Sequence, residues 1–261
     1  MDCLLARVLL LVEYVSTGFS DHVIVANDLW RQKIVARDCK KKANCTTLLN
    51  YPNKAFFNAG GHRREHDGLR LIYPGTISHL HGIDILIRGL RIVKKEVPNV
   101  RLDIYTMVNN SDYFNWLRKL IIREGVNDCV HFHDHLPIEQ LGKIVCDADI
   151  GIVCKREGIF ASEAFSTKIF DYMAAGLPII ASRTKIDEYY FDDSFMMFFA
   201  PENYKQLAHA ILSLYHDIAK RNALVAKGKQ FLESNTWDSK KMDYLRLVND
   251  LCPSASGPAK H

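Results

Sequence analysis

The sequence predicts an α/β protein built on a Rossmann-like, mostly parallel sheet with helices on both faces. Three observations carry this. Strand-like and helix-like segments alternate in regular order from residue 69 to about residue 200. The longer segments repeat their apolar residues at helical spacing. The composition, 48% hydrophobic and 25% charged, is that of an ordinary globular domain.

"LRLIYPG" (69–75) reads as the first strand of the unit, and "GIDILIRGLRIVKKEV" (82–97) as a helix whose Ile83, Ile87, Leu90 and Val97 share a face. "VRLDIYTM" is a strand, and "DYFNWLRKLIIREG" a helix closed by Gly125. "CVHFHD" is a strand, "PIEQLGKIVCDA" a helix started by Pro137, and "DIGIVCK" a strand. A helix follows to about Ala175, ended by Gly176, then the strand "PIIAS" and a short strand near "FMMFFA". Three helices close the chain at about 203–219, 221–234 and 238–251, and "PSASGPAKH" reads as a disordered end. Such βαβ units cross over right-handedly, and the ligand crevice lies outside the carboxyl ends of the strands. That rule selects four loops: 75–82, 106–112, 134–137 and 155–166.

The first fifty residues do not fit this unit. "HVIVAN" and "TTLLNYPN" read as strands around the helix "DLWRQKIVARD". The opening "MDCLLARVLLLVEYV" is too short to span a bilayer, lacks the basic start of a signal peptide, and reads as a buried helix of a folded domain. The chain divides into 1–50, the tail of an α/β domain; 51–68, a linker with Pro, paired Gly and many charges; 69–235, a complete α/β domain; and 236–261, a last helix and tail. A net charge of +4 suits anionic ligands or a membrane surface and is too small to argue for nucleic acid. Seven scattered cysteines without a CxxC pair read as reduced thiols of a cytoplasmic protein.

The chemistry concentrates in "SEAFSTKIFDYMAAGLPIIAS" (162–182). Ser166 or Thr167 is a helix N-cap, and a helix N-terminus is a seat for phosphate. Lys168 adds a cation. Asp171 lies one turn inside, within reach of a ligand's neutral hydroxyls. Glu163 stands ahead of the cap, on the other side of a phosphate held there. Hydroxyls at both ends and a diphosphate between them describe a nucleoside diphosphate sugar. A plain helix with solvated charges fits the same spacing.

The stretch resembles the donor-site motif of retaining glycosyltransferases of family 4, in which two acids are separated by seven residues. "LIYPGTISHLHGIDILIRGL" is similar to the family's first Gly-containing loop and helix, and "NDCVHFHDHLPIEQLGKIVCDADIGIVCKREGIF" to the segments leading into the motif. "SDHVIVANDLWRQKIVARD…LLNYPNKAFF" is similar to the end of the family's N-terminal domain and the hinge after it. The likeness runs from about residue 18 to 250. It implies the C-terminal half of a GT-B fold and transfer of a sugar from a nucleotide-sugar donor, with retention, to a sugar, lipid or protein acceptor. A cytoplasmic setting at the inner face of the membrane, in cell-surface polysaccharide biosynthesis, goes with it. The implied roles are Asp171 on the ribose, Glu163 on the transferred sugar, main-chain N–H groups of Phe165, Ser166, Thr167 and Lys168 on the diphosphate, and the loop from His135 to Ile138 against the base. Gly75 belongs to the first loop. No metal or other cofactor is expected.

The sequence departs from the family in three ways. Asp171 replaces a Glu; Thr76 and His81 stand where Arg and Lys are usual; and most of the acceptor-binding N-terminal domain has no counterpart, so a missing domain is an expected partner. Lys155 and Arg156, in "KREGIF", read either as the compensating phosphate ligands, with Arg156 the first choice, or as a solvated loop. The alternating His131, His133 and His135 have a spacing that could hold Zn²⁺, though no Cys or acid partner is evident. The basic "RQKIVARDCKKK" is a candidate contact for anionic lipid or a solvated helix face. A non-catalytic nucleotide- or partner-binding module is the alternative to an enzyme.

Overall fold

The computed structural model describes residues 4–57, 67–107, 111–158 and 162–252. The chain forms two compact units, one of residues up to Tyr51 together with those from Trp237, the other Pro52–Thr236. The sequence reading had kept the last helix apart from both.

In the smaller unit, α1 (Leu4–Phe19) precedes β1 (Val23–Val25), α2 (Asp28–Ala36) and β2 (Cys45–Thr47). The two strands pair in parallel. Asn27 caps α2 by accepting from the Trp30 N–H at 3.0 Å. The expectation of a buried first helix is corrected: α1 is a helix, but none of its residues is buried. Two polar contacts hold its C-terminal half, with Arg37 Nη1 2.5 Å from Glu13 Oε2 and Thr17 Oγ1 donating to Cys39 O at 3.2 Å. The basic segment is largely engaged locally. Arg31 donates to the carbonyls of Cys45 and Lys42, and Lys40 to those of Thr17 and Ser20.

The larger unit holds β3 (Leu69–Pro74), α3 (Ile83–Glu96), β4 (Val100–Tyr105), α4 (Asp112–Glu124), β5 (Val130–His133), α5 (Ile138–Cys146) and β6 (Ile150–Val153). There follow α6 (Thr167–Ala175), β7 (Ile179–Ser182), α7 (Lys185–Tyr190), β8 (Met197–Phe199), α8 (Tyr204–His216) and α9 (Ile218–Phe231). The chain then enters α10 (Trp237–Leu251), in the smaller unit. Helix α7 lies where the sequence reading had placed no element. The linker is shorter than expected. Lys54–Phe57 form a 3₁₀ turn, Phe57 is buried, and Cys146 Sγ donates to Phe57 O at 3.3 Å. Residues 58–66 of the linker, 108–110 and 159–161 of the two loops, and the tail from 253 lie outside the described residues.

All six strands of the larger sheet are parallel, in the order β5-β4-β3-β6-β7-β8. The order reverses between β3 and β6, and a crevice opens there at the carboxyl ends. Helix α3 buries Ile83, Leu86, Ile87, Leu90 and Val93, each contributing about 1.5–3 kcal/mol. It packs on α4 and α8, while α6 packs on α5 and α9.

Helix α6 is pinned to the reversal point itself. The Tyr172 hydroxyl reaches the carbonyls of Ile72 in β3 and Ile152 in β6, at 3.1 and 3.3 Å. Its ring lies flat on Gly151, where an added Cβ would sit 2.4 Å from it. A side chain there would lift the helix.

Candidate functional site

Two adjoining pockets open at the carboxyl ends of β3 and β6. One, of about 210 Å³, is lined by Tyr73, Leu80, His81, Lys155, Phe165 and Ser166, among others. The second, of about 260 Å³, is lined by Phe57, Gly75, Thr76, Tyr105, His135, Leu136, Ile138 and Asp171, among others. His81, Thr167 and Lys168 line both.

The N-terminus of α6 stands between them. Ser166 has the extended backbone of an N-cap, φ −89° and ψ 113°, but its side chain makes no capping bond. Asn27, Ser111, Asn203 and Asp217 do cap their helices. The N–H groups of Thr167 and Lys168 make no hydrogen bond to any described residue. Unpaired amides at the positive end of a helix dipole attract an anion.

Lys168 adds a full charge. Its side chain is largely enclosed, with Nζ 5.1 Å from the centre of the Tyr73 ring, and it makes no ion pair with any described residue. Burial lowers its pKa from the ordinary lysine value; the Asp171 charge opposes the shift and Lys155 adds to it. Gly75 makes the room. It has φ +135°, a conformation that L side chains rarely adopt, and an added Cβ would lie 2.7 Å from Lys168 Cε and 2.8 Å from Nζ. Gly75→Ala should therefore destabilise the fold by about 1–3 kcal/mol and displace the Lys168 ammonium. Chemical denaturation and nucleotide titration of the variant check both.

Asp171 faces the second pocket one helical turn on. Burial pushes its carboxyl up to about 6, with Lys168 opposing. His81 Nδ1 is 2.8 Å from Ser78 Oγ. Burial first, then the Lys168 charge, lower its pKa below the ordinary value, so it is neutral at neutral pH and titrates further into acid than its sequence suggested. Thr76 O accepts from the Tyr73 hydroxyl at 3.3 Å. His135 is exposed at the rim of the second pocket, beside Leu136 and Ile138.

The remaining predicted residues stand differently. Arg156 lines neither pocket. Its guanidinium meets Asp84 Oδ2 at 2.6 Å, Glu202 Oε1 at 3.3 Å and His79 O at 3.0 Å. Three acceptors already occupy it, which corrects the reading of a free phosphate ligand or a solvated arginine. Lys155 is buried, with Nζ 2.5 Å from Asp187 Oδ2, so it is no solvated loop residue either. Glu163 is buried and lines neither pocket; Lys185 Nζ is 3.6 Å from its Oε1. Phe165 packs on Phe170, Tyr190 and Phe191. His133 is bonded to Asp103 at 2.6 Å and stacked on Tyr105.

Sequence reasoning missed Phe57, Tyr73 and Asp187. Phe57 was assigned to a linker, although the paired aromatics "FF" signal packing. Tyr73 is the second-last residue of β3, and nothing local showed its ring turned toward Lys168. Asp187 lies in a helix that was not recognised.

The family model described as "Glycosyl transferases group 1" matches residues 57–231. The amylovoran biosynthesis glycosyltransferase AmsK of Erwinia amylovora is 25% identical over 186 residues, covering 70% of this chain and 44% of that protein. This chain thus spans less than half of AmsK. A glycosyltransferase from Rickettsia africae ESF-5 superposes with a TM-score of 0.78 at 12% identity, over 90% of this chain and 64% of that one. Anabaena Alr3699/HepE, in complex with UDP and glucose, gives 0.78 at 14% identity, over 93% of this chain and 66% of that one. At these identities the likeness shows the fold, which is that of GT-B glycosyltransferases. The parallel sheet, the crevice at its reversal point and the matched 57–231 segment agree: the chain belongs to the glycosyl transferases group 1 family.

Proposed function

We propose that this chain is the donor-binding half of a retaining, family 4 glycosyltransferase that takes a nucleoside diphosphate sugar and passes a hexose to a sugar, lipid or protein acceptor. One observation carries the reading. Lys168, largely enclosed and in no ion pair with a described residue, stands at an uncapped helix N-terminus with Asp171 one turn away. The free amides and the Lys168 ammonium hold the diphosphate, where fixed positive charge stabilises the departing group. Asp171 accepts from the ribose hydroxyls, Glu163 serves the transferred sugar, and the His135–Ile138 loop lies against the base. Lysine and helix dipole supply the charge a metal would otherwise bring.

The smaller unit is, on this reading, the tail of an acceptor-side domain. Parallel strands are rarely found with uncovered faces, and an exposed α1 beside a two-stranded parallel sheet suits a partial layer. No helix among the described residues is long and apolar enough to cross a membrane. Buried free thiols at Cys39, Cys45, Cys129 and Cys154 suit the cytoplasm. The likeness to AmsK supports a role in cell-surface polysaccharide biosynthesis.

The test is calorimetry with UDP and with uridine. UDP, the ligand named for HepE, should bind at least tenfold more tightly than uridine. Equal affinities would remove the phosphate seat and leave the non-catalytic module as the better reading.

A further inference from the structure

Lys155 and Asp187 form a buried ion pair that the donor-site reading does not use. The Lys155 N–H, at the end of β6, donates to Ser182 Oγ at 2.8 Å. Its Nζ lies 2.5 Å from Asp187 Oδ2 and 3.3 Å from Ala164 O. Asp187 is fully buried. Its Oδ2 also accepts from Thr184 Oγ1 at 2.7 Å, and its Oδ1 has no hydrogen-bond partner among the described residues.

Such a pair is a poor stabiliser. Two buried charges cost several kcal/mol in lost hydration, and an apolar pair of similar volume often serves a fold better. The orphaned Oδ1 makes the arrangement costlier still. What the pair does achieve is directional. Lys155 carries the hold of Asp187 onto a backbone carbonyl next in sequence to Glu163 and two residues before the Ser166 N-cap. Helix α7 grips the same segment twice more. Lys185 faces Glu163, and Tyr190 and the adjoining Phe191 pack on Phe165.

We propose that Asp187 is a positioning residue for the donor site: acting through Lys155, it fixes the 162–166 segment so that the first amides of α6 are aimed at the diphosphate. This rests on the donor-site reading above. Asp187 touches no ligand; its effect passes through the Lys155 ammonium and the Ala164 carbonyl. The fold would survive its loss, and the aim of the segment would not.

The experiment uses the full chain carrying Lys155→Met with Asp187→Leu, which removes both charges and leaves neither unpaired. Three measurements are made: thermal melting, calorimetry with UDP and with uridine, and hydrogen exchange of the 162–168 amides without ligand. The expected result is a melting temperature at or above that of the parent, uridine affinity within twofold, UDP affinity down at least tenfold, and faster exchange confined to 162–168. A variant that melts cooperatively, binds UDP like the parent and exchanges like the parent overturns the proposal. Should the double variant not fold, Asp187→Asn, which keeps the volume, is judged on the same three measurements. If the parent itself binds UDP no better than uridine, the donor reading fails, and the exchange of 162–168 alone decides whether the clamp is real.

Discussion

Lys168→Met should leave a ligand-free protein that melts at a higher temperature and has lost most of its affinity for UDP. Both effects have one cause. The ammonium is enclosed beside Tyr73 without an ion-pair partner among the described residues, and burial depresses its pKa. A lysine with a depressed folded pKa weakens the fold at neutral pH, and the penalty fades only as pH rises through that pKa. Methionine fills a similar volume without the charge. The cation–π contact with Tyr73 is lost, so the net gain is about 1–2 kcal/mol, which corresponds to roughly 2–8 °C for a chain of this size. A charge-assisted hydrogen bond is worth about 1.5–3 kcal/mol, so UDP affinity should fall about 10- to 100-fold. Melting curves and calorimetry on one preparation test both halves. A variant that melts lower and binds UDP unchanged would show the lysine to be structural.

Asp171→Asn should behave in the same double manner, with a pH signature. Burial raises the Asp171 carboxyl from 3.8 to about 6. The folded state therefore holds this proton more tightly than the unfolded chain. Stability falls as pH climbs from about 4 to about 6 and stays lower above it. Removing the charge should raise stability at pH 7 by about 1–2 kcal/mol, after allowance for partial exposure, and change little at pH 4. In the parent, UDP affinity should drop on acidification through pH 6, as the carboxylate that accepts from the ribose becomes protonated. In the variant, affinity should be about 1–3 kcal/mol weaker at neutral pH and should lack that inflection. An unchanged inflection would assign the titration to another group.

The alternation of elements was legible because each strand and helix carries its own period. The crevice followed from chain order alone, and Ser166, Lys168 and Asp171 lie close enough in sequence for one helix to fix their relation. Long-range partners were not legible. Arg156 looked free because Asp84, which engages it, is 72 residues away. Lys155 looked like a ligand because Asp187 lay in an unrecognised helix. Helix α1 looked buried because apolarity is a local property and burial is not; what covers a helix depends on residues elsewhere.

The phenol of Tyr172 has a consequence for how this site can change. It ties the middle of α6 to the two strands at the reversal point. The walls around the first turn of α6 come from the loops after β3, β5 and β6, the last of which is held in its own right through Lys155 and α7. The anion seat is a fixed post among exchangeable panels. Substitutions in the loops after β3 and β5 can retune the base or the sugar while the diphosphate stays in register. A change at Tyr172 or Gly151 would shift the post itself and misalign every donor alike.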